Sequence, residues 1–258
     1  MPLGAEGLAG LVVAASRRFA HHFGSQLTFD QPFSLACSTS IPKQVGLAGS
    51  SAIIIATLRA LAAQFDLDIP PFELSEIALA TEVEDLDIAA GPMDRVIQSY
   101  EGVMEMDLAP PRSETAYRRV DPNLLPTILI AWDPHEGISS GVPHGDLRER
   151  WRRGDEVVLD TIRELRNVVD RGTIALENGD HETFFDLVNH NFELRCRIFP
   201  VRERDRQMVN IARDLGAAGK LCGSGGAVLV VPRGNADLSA FSHAFAAAGY
   251  RTCRLLIT

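Results

Sequence analysis

The run Ile41-Pro42-Lys43-Gln44-Val45-Gly46-Leu47-Ala48-Gly49-Ser50-Ser51-Ala52 lies between a strand-like segment and a helix-like one. Glycine and serine at such a junction leave backbone N–H groups free at the positive end of a helix dipole. That is a place for a phosphate. A simple helix cap would need one of Ser50 or Ser51, and would not need Gly46 and Gly49 to keep side chains out of the approach. The Walker pattern is absent, since no lysine follows Gly49. A second glycine-rich run, Gly219-Lys220-Leu221-Cys222-Gly223-Ser224-Gly225-Gly226, precedes an apolar strand and is a weak ligand signal alone. Between the two lie carboxylates. Glu84, Asp85 and Asp87 read as a solvated face, but Glu82 follows Ala78 by four residues and points to the packed side. A carboxylate there needs a partner, and Mg²⁺ is one candidate. Asp94 falls in the first turn of a helix opened by Gly91-Pro92, where complementing the dipole is the ordinary role.

The elements that must hold these groups follow from periodicity and turn residues. An amphipathic helix runs from Leu8 to about His22, then a strand pair over Gln26–Asp30 and Phe33–Ser40. The helix after the loop covers Ser50–Phe65, and a further one starts at Pro70-Pro71, with Leu74, Ile77 and Ala78 on its buried face. Glu101–Leu108 and Thr127–Trp132 read as strands, the second apolar enough to be central. The proline-bearing piece between them is loop with room for an edge strand. A helical stretch from Asp146 to about Val169 is followed by helices at Arg171–Glu177, His181–Phe199 and Gln207–Leu215. Strand Ala227–Val231, helix Asp237–Ala248 and strand Tyr250–Ile257 close the chain. This order suggests a ferredoxin-like α+β half.

Composition narrows the function classes. The 258 residues are 46% hydrophobic and 23% charged, as in a globular protein able to bury a full core. A net charge of −9 argues against nucleic acid or an anionic membrane as partner. Leu8–Ala15 is too short to span a bilayer and lacks the flanks of a signal peptide. Four scattered cysteines, Cys37, Cys196, Cys222 and Cys253, have neither metal nor redox spacing and point to reduced thiols in the cytoplasm. Basic residues are 23 arginines and only two lysines, Lys43 and Lys220, each beside a glycine-rich run. A flexible ammonium near a transferred phosphate accounts for that placement.

Pro42-Lys43-Gln44-x-Gly46-Leu47-x-Gly49-Ser50-Ser51-Ala52 resembles the second motif of the GHMP kinases, in the form closest to the glucuronokinase branch. Lys220-x-x-Gly223-Ser224-Gly225-Gly226-Ala227 resembles the third motif. Gly91-x-Met93-Asp94 is similar to the segment that carries the catalytic Asp in galactokinases, and Gly91-x-x-Asp94-Arg95-Val96 to that of glucuronokinases. Arg148-x-Arg150-Trp151-x-x-Gly154-Asp155-Glu156 and Asn191–Phe199 also follow the latter branch. The resemblance implies an α+β GHMP kinase fold, with a ribosomal-protein-S5-like N-terminal part over 1–133, incomplete, and a ferredoxin-like C-terminal domain over 134–258.

It implies ATP and Mg²⁺ as cofactors. Lys43 and the stretch Gly46, Leu47, Ala48, Gly49, Ser50, Ser51 and Ala52 would hold the ATP phosphates. Ser51 and Glu82 would ligate Mg²⁺, with Glu84 the alternative carboxylate, and Asp94 would be catalytic. The loop with Lys220, Gly223, Ser224, Gly225 and Gly226 would close over phosphates or substrate. The acceptor would be a sugar or uronic acid, D-glucuronate first, phosphorylated on its anomeric hydroxyl. A uronate carboxylate wants an arginine fork, for which Arg95, Arg148, Arg150 and Arg195 are candidates. The alternatives are another GHMP acceptor (galactose, mevalonate or related) or an inactive remnant that only binds nucleotide. The family's opening motif, which contacts the acceptor, has no counterpart here. The expected reasons are a misplaced start, a split gene or decay. With them goes the expectation of a separate N-terminal polypeptide or self-association through exposed sheet edges.

Overall fold

The computed structural model describes residues 7–28, 32–135, 141–234 and 236–257, with side chains of 141–145 excluded. Two compact units divide the chain: Met1–Ile41 with Ala48–Val120, and Pro42–Leu47 with Asp121–Thr258. The division falls at Val120/Asp121, ahead of the expected 133/134 boundary, because the strand at Leu129–Trp132 belongs to the second unit's sheet.

Among the described residues the first unit has four α-helices and a hairpin: α1 (Gly7–Phe23), α2 (Gly49–Gln64), α3 (Pro71–Ala80), α4 (Met93–Tyr100), then β1 (Val103–Met106) paired antiparallel with β2 (Tyr117–Val120). In α1, Leu11, Ala14, Ala15 and Phe19 form one buried stripe at helical spacing. It packs on Ile54, Leu58 and Leu61 of α2 and on Leu74, Ile77 and Ala78 of α3. Burying one such aromatic or branched side chain contributes about 1.5–3 kcal/mol. Helix α3 starts on Pro71, whose fixed φ suits a first turn. It runs on into a single π-helical turn over Thr81–Asp85, and this widened turn carries Thr81 and Glu82 inward together. The expected strands at Gln26–Asp30 and Phe33–Ser40 do not form among the described residues. Gly24–Gln26 is a 3₁₀ turn, and residues 32–40 take no strand assignment. A strand exists through its ladder, and no described strand pairs with this segment. Residues 29–31 of the expected pair lie outside the described residues.

The second unit has a four-stranded antiparallel sheet in the order β4-β5-β3-β6, with β3 Leu129–Trp132, β4 Ala218–Leu221, β5 Ala227–Val231 and β6 Arg251–Arg254. Strand β3 is interior, as its apolar run requires, with Leu129 opposite Val230 and Arg254. Helices α5 (Gly141–Arg152), α6 (Glu156–Glu177), α7 (His181–Ile198) and α8 (Glu203–Asp214) connect β3 to β4. Helix α9 (Leu238–Ala247) connects β5 to β6. The resulting strand–helix–strand–strand–helix–strand order is the ferredoxin-like pattern expected. Met208, Val209, Ala212, Phe241 and Phe245 fill one core of the unit. Phe185 and Val188 of α7 join Ile128, Ile130 and Val231 in another.

Three local expectations change. Helix α6 continues through the expected break near Asp170, because Val168, Gly172, Ala175 and Leu176 prolong one buried stripe. Gly219 and Lys220 lie in strand β4, where Lys220 stands opposite Leu229; the glycine-rich run therefore begins as sheet. The segment Pro42–Leu47 packs with this unit through buried Val45 and through Leu47, which joins the core of Ile130 and Ala227.

Candidate functional site

In the first unit the site is built at the start of α2. Its N-cap is Ala48, in the left-handed region at φ 54°, and no side chain caps the helix. Neither serine does so. Ser51 Oγ donates back to Ala48 O at 3.0 Å and is fully buried, while Ser50 Oγ donates to Glu82 Oε1 at 2.7 Å. Helices α6, α7 and α9, by contrast, are capped by Asp155, Asp180 and Asp237. The amides opening α2 thus meet no capping side chain, as is also so at α3, α4 and α8. Gln98 Nε2 donates to Ala48 O at 3.0 Å and holds the strained cap in place.

Glu82 is 0% exposed, with its second oxygen taken by the Nε and Nη2 of Arg95. Arg95 Nη1 donates to Gly91 O at 2.9 Å and lies 3.4 Å from Asp94 Oδ2. One chain of contacts thus runs Ser50–Glu82–Arg95–Asp94, and Asp94 is its half-exposed end. A carboxylate set beside a helix start in this way can accept a proton from a bound hydroxyl.

In the second unit the two glycine-rich segments meet backbone to backbone. A Cβ on Gly46 would stand 2.7 Å from Gly225 O, one on Gly223 2.8 Å from Gly46 O, and one on Gly226 2.7 Å from Val45 Cα. Gly46, Gly225 and Gly226 also hold positive φ, so glycine is required there twice over. The fully buried Asp205 anchors this junction: its Oδ1 accepts from Gly226 N at 2.9 Å and from Arg202 Nη2 at 2.8 Å. Asp133 N donates to Gly226 O at 3.1 Å. Arg195 Nη2 donates to Gly223 O at 2.9 Å, and Lys220 Nζ to Leu221 O at 2.8 Å. Burial lowers the pKa of both Lys220 and Arg195, and it pushes the Cys222 thiol up to about 11.

A family model described as the GHMP kinases N terminal domain matches residues 10–102, and one described as GHMP kinases C terminal matches 173–251. The chain belongs to the GHMP kinase family. It is 36% identical over 228 residues to glucuronokinase 1 of Arabidopsis thaliana, covering 84% of this chain and 62% of that one. It is 34% identical to probable glucuronokinase 2 of the same plant, covering 83% and 60%. The chain thus spans about three fifths of the length of these relatives. A crystal structure of mevalonate kinase superposes with a TM-score of 0.75 at 18% identity, over 98% of this chain and 77% of that one, which shows the shared fold.

Against this GHMP kinase background the expected residues sort clearly. Gly46 and Leu47 belong to the second unit, Leu47 with its side chain in the core; Ala48, Gly49, Ser50, Ser51 and Ala52 open α2 in the first. Lys43 is exposed. The expected metal pair Ser51 and Glu82 is not assembled: Ser50, not Ser51, meets Glu82, and both carboxylate oxygens are already engaged. Among the described residues no group of three or more His, Cys, Asp or Glu could hold a metal ion. The residues present therefore do not fit Mg²⁺ as an open protein site.

Of the arginine candidates, Arg95 is spent within the Glu82–Asp94 chain. Arg150 donates to Asp155 Oδ2 at 2.9 Å and so braces the α6 cap. Arg148 is exposed on α5. Arg195 is the one that reaches a glycine loop. Asp205 and Gln98 carry no local signature in the sequence, because each serves a loop more than twenty residues away in the chain.

Proposed function

We propose that this chain carries the phosphoryl-transfer machinery of an ATP-dependent sugar kinase that phosphorylates an anomeric hydroxyl, D-glucuronate going to glucuronate 1-phosphate with release of ADP. The observation that carries the reading is the uncapped start of α2 joined to Asp94 through Glu82 and Arg95, in a chain 36% identical to a glucuronokinase. Phosphoryl transfer asks a protein for positioning and charge neutralisation more than for covalent chemistry. The free amides of α2 hold phosphate oxygens of ATP. Asp94 receives the proton of the attacking hydroxyl, oriented by Arg95. Ser50 ties the helix start to Glu82, so the phosphate-binding backbone and the base share one support.

Mg²⁺ in this reading comes with the nucleotide phosphates, which supply ligands to an ion that proteins hold by only one or two carboxylates. No step is assigned to a protein-bound ion. The four cysteines are free thiols, which supports a place in the reducing cytoplasm. Among the described residues no helix is long and apolar enough to cross a membrane.

The test is coupled ATP turnover with D-glucuronate, beside a panel of galactose, mevalonate and homoserine. ADP release with D-glucuronate alone supports the reading. Turnover with another acceptor moves the assignment within the GHMP kinases. Nucleotide binding with no turnover on any acceptor leaves a binding-only remnant and defeats the kinase proposal.

A further inference from the structure

Gln98 lies one turn after Asp94 on α4, so the two side chains leave neighbouring points on that helix. Its Nε2 donates to Ala48 O at 3.0 Å. That carbonyl also accepts from Ala52 N at 3.1 Å and from Ser51 Oγ at 3.0 Å, so it is satisfied without the glutamine. The other half of the amide is stranded: Oε1 is buried and meets no hydrogen-bond partner among the described residues. A buried acceptor without a donor destabilises by more than one further bond to a satisfied carbonyl stabilises. Methionine would fill much the same volume and strand nothing. For stability alone, glutamine is a poor choice at 98. Local conflicts of this kind gather at functional sites.

What the bond supplies is direction. Ala48 is the left-handed N-cap of α2, at φ 54° and ψ 35°. The peptide plane that carries Ala48 O also carries Gly49 N–H, the first amide of the helix, so a grip on the one sets the aim of the other. Arg59 of α2 answers from the far side, donating through Nη2 to Gln98 O at 3.1 Å and to Ser99 O at 3.0 Å. Gln98 is thus held by α2 through its main chain while its side chain holds the start of α2. This tie is separate from the Ser50–Glu82–Arg95 contacts, and every residue in both lies in the first unit.

We propose that Gln98 is a positioning residue that locks the Ala48–Gly49 peptide, so that the amides opening α2 and the carboxylate of Asp94 keep one fixed separation. The role rests on the kinase reading, in which those amides meet phosphate oxygens and Asp94 meets the attacking hydroxyl. Gln98 acts through the peptide it grips.

Two variants of the 258-residue chain test it. Gln98→Met removes the donor and the stranded acceptor together, and Gln98→Lys returns a donor for Ala48 O without an acceptor. Gln98→Met should melt no lower than the parent. Its kcat with ATP and D-glucuronate should nevertheless fall by about tenfold or more, the scale of a displaced reacting group. The KM for D-glucuronate should stay within about twofold, because the acceptor's own contacts are untouched. ATP affinity by calorimetry should fall by about threefold to tenfold, the loss of one well-aimed hydrogen bond. Gln98→Lys should recover most of both losses. A Gln98→Met chain that keeps kcat and ATP affinity within about twofold of the parent overturns the proposal. So does a fall in Tm that runs parallel to the losses and that Gln98→Lys leaves unrepaired, since that is a structural role only. Where the parent turns over and Gln98→Met matches it, the kinase reading stands and the positioning role fails. Where the parent binds ATP and phosphorylates no acceptor, the kinase reading fails, and the ATP affinity of Gln98→Met still decides the positioning role. A parent that binds no ATP defeats both.

Discussion

Glu82 has both oxygens occupied, one by Ser50 and the other by Arg95, and no water-exposed surface. Removing Arg95 therefore leaves a buried charge uncompensated. Arg95→Met should destabilise the first unit by about 3–5 kcal/mol, read as a shift in the urea midpoint. Glu82→Gln with Arg95 retained is also expected to weaken the fold, whereas a residue kept only for a metal would leave metal-free stability unchanged. Asp94 differs because it is half-exposed and sits at the end of the contact chain. Asp94→Asn should abolish turnover while nucleotide affinity, measured by calorimetry, stays within a few-fold. A large loss of ATP binding would refute the role of Asp94 as base. The packed position of Glu82 is legible in the sequence from its spacing to Ala78. Its partner is not, because Arg95 reaches back across a turn whose path no local pattern encodes.

At the level of elements, the glycine segments behave as one interlocked piece. Gly226→Ala puts a methyl group 2.7 Å from Val45 Cα at a φ of +92°, so backbone has to move. A loss of about 2–4 kcal/mol is expected, seen as a fall in Tm. Gly91→Ala has open space around its Cβ and an ordinary φ, and should leave stability within about 0.5 kcal/mol of the parent. Ala48 gives the opposite sign. It holds a left-handed conformation that glycine adopts freely, so Ala48→Gly should raise stability by up to about 1 kcal/mol. If the left-handed cap is what aims the α2 amides, phosphate binding survives that substitution. The motif residues are visible in the sequence as glycine and serine at a strand–helix junction. That Gly46 faces Gly223 and Gly225 is not, since the two runs are separated by most of the chain.

Across the whole molecule the carboxylates set the acid limit. Asp155, Asp180 and Asp237 each cap a helix, and hydrogen bonds from Arg150, Thr183 and Ser239 respectively, reinforced by backbone N–H groups, hold them below the usual 3.8. In Asp133 burial opposes ionisation, but bonds from Arg204 and from His135 N outweigh it and the net shift is again downward. A carboxylate with a depressed folded pKa contributes its stability above the unfolded value and loses it as pH falls through the folded one. All four lie in the second unit. Thermal melts from about pH 7 to about pH 3 should show a plateau and then a decline that begins near the unfolded value of 3.8. Replacing Asp155, Asp180 and Asp237 together by Asn should lower the plateau and flatten the decline. An unchanged slope would mean that other groups control acid unfolding.

Sequence alone determined the helices with a strong buried stripe, the central place of β3, both glycine motifs and the family they belong to, because each is written in a contiguous run of residues. It over-read strand at 26–28 and 33–40, where β-like composition has no described ladder partner, and under-read β4, where Gly219 and Lys220 look like loop until Val230 and Leu229 pair with them. Only the tertiary structure decided which serine meets Glu82, that Arg95 is consumed within the site, that Asp205 holds Gly226, and that Arg195 reaches Gly223. Those are contacts between residues distant in the chain, fixed by the packing of helices and sheet, and the local pattern of neither partner contains them.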